Sequence, residues 1–336
     1  MGDVTYTSGR IETYSSSVND GVATTYTYTY DQNGNITSIL YGTGEEIRYY
    51  YDDIGQLARE DNAPLGATYV YTYDNAGNRT SKAIYSLTAK DVAPVDLINT
   101  FTYGYSTPTA SGAVSWGDLL MTYNGTSNVY DKIGNPLSYH NGQTYWCAWS
   151  GRSLIEVRKN DVTYKFTYND SGIRTSKTVN GVTTNYYLSG SQIVAEETSG
   201  NLTVYIYDAT GAPIGFQYHA ASYAEGAFDT YWYEKNVFGD IVAVYDDSGT
   251  KLLTYTYDAW VGEIKQLITV LSKPKPPKAT SARSERTERH GATMRRWRAK
   301  TLQQLTTTAV QIYLKLQTIH LHIEAITTIE TLDSTI

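Results

Sequence analysis

A five-residue unit, Tyr-Asp-x-x-Gly, recurs along this chain, and that recurrence limits the possible folds more than any other feature. It occurs as Tyr30-Asp31…Gly34, Tyr51-Asp52…Gly55, Tyr73-Asp74…Gly77, Tyr130-Asp131…Gly134, Tyr207-Asp208…Gly211 and Tyr245-Asp246…Gly249. Tyr168…Gly172 is a variant with Asn169 in place of the aspartate, Phe238-Gly239-Asp240 belongs to a degenerate unit, and Tyr257-Asp258-Ala259-Trp260 closes the series. Successive units begin 21, 22, 57, 38, 39 and 38 residues apart, which are whole multiples of a repeat of roughly 20 residues.

Each unit can be read physically. The aspartate is preceded by alternation, as in Tyr28-Thr29-Tyr30, Tyr71-Thr72-Tyr73, Phe166-Thr167-Tyr168 and Tyr255-Thr256-Tyr257. In a strand, positions i and i+2 share a face, so the aromatics line one side and the β-branched residues the other. The aspartate side chain accepts a backbone N–H two residues on and nucleates a turn. The glycine supplies the positive φ that closes it. A second alternating stretch follows, such as Asn35-Ile36-Thr37-Ser38-Ile39, so the unit predicts strand, tight turn, strand. A lone hairpin is marginal, whereas stacked hairpins make a continuous sheet. The expected fold is all-β: stacked hairpins forming a curved, open, spiralling sheet over residues 1–260. At about 20 residues per unit this gives roughly thirteen hairpins.

Composition divides the chain at the end of the series. Residues 1–260 hold 32 of the 33 tyrosines and 25 of the 27 glycines. The net charge of −7 splits into −13 for residues 1–260 and +6 for 261–336, the latter from 12 Lys and Arg against 6 Asp and Glu. Residues 261–300 read as a basic linker rich in Pro, Lys and Arg, and 301–336 as a Thr/Ile/Leu-rich tail that is poorly ordered or marginally helical. The single cysteine, Cys147, excludes a disulfide framework and reads as a buried structural residue. No apolar run reaches the length of a membrane span, and residues 1–10 lack the basic start and apolar core of a signal peptide.

These residues resemble the YD-repeat, or Rhs (rearrangement hot spot), family, of the bacterial wall-associated or polymorphic-toxin type. Trp149-Ser150-Gly151-Arg152-Ser153-Leu154 is similar to that family's Trp-x-Gly-Arg-x-Leu element, and Gly172-Ile173-Arg174-Thr175-Ser176-Lys177 to its Gly-Ile-Arg-Thr-Ser-Lys segment. The resemblance implies a spiral shell that encloses a C-terminal toxin, with the present chain as a partial shell. It also implies secretion or cell-surface placement. The family's Asp-Pro-x-Gly self-cleavage motif has no counterpart, since no proline here follows an aspartate. The chain is therefore expected to stop short of the Rhs core motif.

The function expected is that of a non-enzymatic structural segment, without cofactor or metal. Its partners would be the remainder of an Rhs shell or a C-terminal effector cargo in an intact parent. An open sheet also leaves edges for self-association. A surface glycan is the alternative partner, because tyrosine faces stack on sugars, and a cell-surface adhesion protein is the corresponding alternative function. The tyrosines track the repeat instead of clustering, which favours packing. A nucleic-acid-directed toxin in the basic tail is the third reading. It is disfavoured because the tail offers only scattered acidic and His residues and no metal-centred cluster. The paired Glu196-Glu197 reads as a solvated strand end.

Overall fold

A computed structural model describes residues 2–17, 23–106, 119–260 and 264–268. All regular structure in these residues is β. The first sheet has eleven strands: β1 (Gly2–Thr7), β2 (Arg10–Ser16), β3 (Thr24–Tyr30), β4 (Ile36–Tyr41), β5 (Glu46–Tyr51), β6 (Leu57–Asn62), β7 (Ala67–Tyr73), β8 (Arg79–Ser86), β9 (Leu97–Tyr105), β10 (Leu120–Tyr123) and β11 (Thr126–Ser127). The second has fourteen: β12 (Val129–Tyr130), β13 (Pro136–His140), β14 (Thr144–Ser150), β15 (Ser153–Lys159), β16 (Val162–Tyr168), β17 (Arg174–Val179), β18 (Val182–Ser189), β19 (Gln192–Thr198), β20 (Asn201–Tyr207), β21 (Pro213–His219), β22 (Asp229–Lys235), β23 (Ile241–Asp246), β24 (Lys251–Tyr257) and β25 (Ile264–Ile268). Within each sheet the strands follow chain order, so both are antiparallel meanders with open edges. The expected all-β open sheet is the fold observed.

The sheets join at Asn128, which is 2% exposed. Its backbone N–H and Nδ2 donate to Met121 and Leu120 of β10, and its Oδ1 accepts the N–H of His140 on β13. Strand β25 lies past the composition boundary at 260 and continues the second sheet. The rest of the predicted linker and the whole predicted tail lie outside the described residues.

Alternation sorts the side chains as the repeat requires. On β3, Tyr26 and Tyr28 are buried and Thr29 is exposed; on β7, Tyr69 and Tyr71 are buried and Thr72 is exposed. Tyr26, Tyr28, Ile39 and Ile47 form one core cluster, and Ala67, Tyr69, Tyr71 and Ile84 another. The outward threonines hydrogen-bond across the hairpin: Thr29 to Thr37 and Ser38, Thr72 to Thr80 and Ser81, Thr167 to Thr175 and Ser176. Late strands are covered on both faces, since the consecutive residues Val242, Ala243, Val244 and Tyr245 are all buried. That cover comes in part from the first sheet.

Candidate functional site

The turn of each unit is built alike. At Asp74, the aspartate N–H donates to Asn78 O and the Gly77 N–H donates to Asp74 O. Asp74 Oδ1 accepts the N–H groups of Ala76 and Asn78, while Oδ2 accepts Asn78 Nδ2. The same pattern of Oδ1 accepting the N–H groups two and four residues on is made by Asp52, Asp131, Asp208 and Asp246. Asp31 caps Asn35 through its N–H and its side chain. Asn169 caps Ser171 and Ile173, because the turn needs only an acceptor oxygen. The degenerate unit inverts the pair: Asn236 Oδ1 caps the backbone and its Nδ2 donates to Asp240. The turn glycines adopt positive φ, 87° at Gly77 for example, which leaves no comfortable place for a Cβ. The side-chain hydrogen bonds from Asn35, Asn78 and Thr210, followed by the backbone N–H groups, hold Asp31, Asp74 and Asp208 below the usual carboxylate range.

The tyrosine before the turn has a separate task. Its hydroxyl donates to a backbone carbonyl of the preceding hairpin: Tyr30 to Ile11, Tyr51 to Ile36, Tyr73 to Leu57, Tyr130 to Leu120, Tyr168 to Leu154, Tyr207 to Ile193 and Tyr257 to Ile241, at 2.5–2.8 Å. Tyr105 makes the same link to Arg79, and the indole N–H of Trp149 makes it to Pro136. Tyr245 departs from the pattern, since its hydroxyl donates to Glu234 Oε2. The recurring tyrosine is thus a stitch between successive hairpins, with its ring half-buried at the edge of the core and its hydroxyl on the backbone next door.

A second feature is confined to one place: the late strands of the second sheet meet the first sheet through buried polar groups. Ser16 Oγ donates to Glu234 Oε1, and Tyr14 donates to Lys235 O. Burial pushes Glu234 upward, but hydrogen bonds from Thr24, Tyr245 and Ser16 and the charge of Lys251 outweigh it and leave its carboxyl below the usual value. Further along, the closing Tyr257-Asp258-Ala259-Trp260 unit docks on β6–β8. Asn62 Nδ2 donates to Tyr257 O, the Ala259 N–H donates to Glu60 Oε2 at 2.9 Å, and Lys82 Nζ lies 2.5 Å from Asp258 Oδ2. The Arg79 guanidinium lies over the rings of Tyr103 and Trp260, with Cζ 4.5 and 4.6 Å from the centroids. Glu60 is fully buried and accepts from Asn62 Nδ2 and the Tyr71 hydroxyl. Burial, partly offset by these donors, lifts its carboxyl to about 7.

Sequence reasoning missed Glu60, Lys82 and Glu234. For the first two the signal was present. The fifth residue after the turn glycine pairs with the aromatic two before the turn's first residue but one: Ile39 with Tyr28, Phe216 with Tyr205, Val244 with Tyr233. Glu60 and Lys82 occupy that core position opposite Tyr49 and Tyr71. Lys177 occupies it opposite Phe166.

The remaining candidates fall out as follows. Cys147 is buried on β14, and burial pushes its thiol up to about 12. Glu196-Glu197 is corrected: the pair sits inside β19, not at a solvated end. The Glu197 carboxylate accepts the exposed Tyr187 hydroxyl, while burial raises Glu196 against the opposing charge of Lys177. No group of three or more metal-ligating side chains occurs among the described residues.

Comparison with known proteins places this architecture. A family model described as RHS Repeat matches residues 51–88. The tRNA3(Ser)-specific nuclease WapA of Bacillus spizizenii is 32% identical over 271 residues, covering 70% of this chain and 11% of that protein. This is an RHS-repeat chain. The tRNA nuclease WapA of Bacillus subtilis has the same identity and coverage. The RHS-repeat fold is also shared with a Tc holotoxin pore of Photorhabdus luminescens, with a TM-score of 0.55 and 16% identity over 78% of this chain and 14% of that one. The RHS-repeat chain therefore spans about 11% of the length of the curated relatives it matches.

Proposed function

We propose that this chain is a length of wall from an Rhs-type polymorphic toxin, secreted or delivered at the cell surface, and that the wall's task in the intact parent is to enclose and carry a C-terminal effector. The observation that carries this reading is the repeated stitch. Tyr30, Tyr51, Tyr73, Tyr168, Tyr207 and Tyr257 each spend their hydroxyl on the neighbouring hairpin, so the recurring residues serve the sheet and not a ligand. The likeness to WapA nucleases supports the toxin context. In this reading the chain is not itself the nuclease, and its partners are further wall and cargo.

The purified chain tests the proposal when incubated with total tRNA and when fused to an unfolded reporter polypeptide under protease challenge. A wall segment leaves tRNA intact and slows reporter digestion relative to the reporter alone. Cleavage of tRNA by the chain, or a reporter digested at its free rate, overturns the proposal. Selective capture on a glycan array would transfer the argument to the adhesion reading.

A further inference from the structure

We propose that Lys82 and Asp258 form an intramolecular amide bond, made by the folded chain itself, with Glu60 beside the closing unit as a proton reservoir. The geometry is that of reactants already brought together. Lys82 Nζ lies 2.5 Å from Asp258 Oδ2, which puts the nitrogen within reach of Cγ. Their side chains are 7% and 0% exposed, so the water that would favour hydrolysis is excluded. The other carboxylate oxygen, Oδ1, accepts the N–H of Trp260 at 3.1 Å, a donor placed to stabilise charge on that oxygen as the carbon becomes tetrahedral. The ring of Tyr69 lies under Nζ at 4.7 Å and walls the site with apolar surface. Fixed geometry of this kind is equivalent to a concentration of about 10⁵–10⁸ M, which compensates for the poor reactivity of a carboxylate towards an amine in water.

Glu60 stands on the same face. It pairs with Tyr69 across β6 and β7, and Tyr71 pairs with Lys82 across β7 and β8, so the glutamate and the lysine flank one pair of tyrosines. Its Oε2 is held by the N–H of Ala259, the residue next to Asp258. Lifted to about 7, its carboxyl can both take and give a proton near neutrality. In the reaction the Lys82 ammonium gives a proton to Asp258 Oδ2, which it already touches, and the freed lone pair forms the bond to Asp258 Cγ. The Cγ–Oδ2 bond breaks with its electron pair on oxygen. Two protons that began on nitrogen end on that oxygen, which leaves as water. One positive and one negative charge are consumed, and no oxidant or other reactant is needed. The product ties the closing unit of the second sheet to the first. A close pair within the second sheet lacks these conditions. Lys251 lies 3.3 Å from Glu234, but its side chain is 37% exposed and the carboxylate is kept ionised by several donors.

The test is tryptic mass spectrometry of the full chain. The bond blocks cleavage after Lys82 and joins residues 80–90 to residues 252–265 in one species lighter by one water than the two peptides together. Lys82→Arg keeps the cation and must release the peptides separately. Glu60→Gln, checked for an unchanged β-sheet circular dichroism spectrum, must form the linked species at least tenfold more slowly. Unlinked peptides from the folded wild-type chain overturn the bond, and this holds whether or not the variants fold. A linked species formed as fast in Glu60→Gln overturns the role of Glu60.

Discussion

Replacing Tyr73 by Phe isolates the stitch from the core. The ring, which packs against Trp260, is kept, and the only atom lost is the hydroxyl that donates to Leu57 O at 2.7 Å. A protein hydrogen bond contributes about 1 kcal/mol net, and more when its partner is left dry. Tyr73 is half-buried, so water can replace part of what the carbonyl loses, and the expected cost is about 1 kcal/mol. In a chain of this size that lowers Tm by about 1–2 °C. The assay is urea denaturation followed by circular dichroism, with Tyr6→Phe as control, because Tyr6 is 64% exposed and its loss should register nothing. Stitches in distant units share no partners, so Tyr30→Phe and Tyr207→Phe should add to within about 0.5 kcal/mol when combined. If Tyr73→Phe matches the wild type as closely as Tyr6→Phe does, the hydroxyl has no structural role and the repeat conserves only a ring.

Asp74→Ala should lose the turn cap and lower stability, whereas Asp74→Asn should lower it much less, since Asn169 already caps an equivalent turn; chemical denaturation of both variants at neutral pH checks this. A carboxyl held below its unfolded pKa contributes stability above that value and loses it as pH falls through the folded pKa. Acid melts should therefore show Asp31, Asp74 and Asp208 loosening their turns below about pH 4, with Asp→Asn at all three blunting the loss. Gly215→Ala would put its Cβ 2.3 Å from the Tyr231 carbonyl oxygen on the neighbouring strand, so the pairing of β21 with β22 must shift. Denaturation should report a loss of about 1–3 kcal/mol, and a neutral result would mean that β21 has slack to move.

The hairpins were legible in the sequence because everything that makes them is local. Asp31 and Asn35, or Asp74 and Asn78, are four residues apart, and the turn glycine lies between them. Strand order was legible for the same reason, as each hairpin pairs with the next. The stitch was not, since nothing in Tyr73-Asp74 says that its hydroxyl reaches back to Leu57. Trp149 was read only as part of a family element, although it fills a tyrosine's place. Least legible was the meeting of the sheets. Ser16 with Glu234, Asn62 with Tyr257 and Lys82 with Asp258 are about 200 residues apart, and the accumulated twist and curl of many strands decides which of them face each other.

Ionisable residues in the core position of the repeat are where these long-range choices leave a mark. Ile39, Phe216 and Val244 there need no partner, but Glu60, Lys82 and Lys177 do, and each has an opposing charge or a set of donors brought to it. Lys177 offers the clearest case for measurement. Burial lowers its pKa while Glu196 opposes that shift, and burial raises Glu196 while Lys177 opposes it, so each charge makes the other tolerable. Breaking a fully buried pair by removing one partner costs about 3–5 kcal/mol; these two side chains are partly exposed, so Lys177→Ile should cost about 2 kcal/mol. Isoleucine already fits the equivalent place at Ile39, so the loss comes from the stranded Glu196 and not from shape. Adding Glu196→Leu should then recover most of the loss. A double variant no more stable than the sum of the two single changes would mean that the lysine and the glutamate are tolerated separately, and that charge in the core position carries no information about its partner.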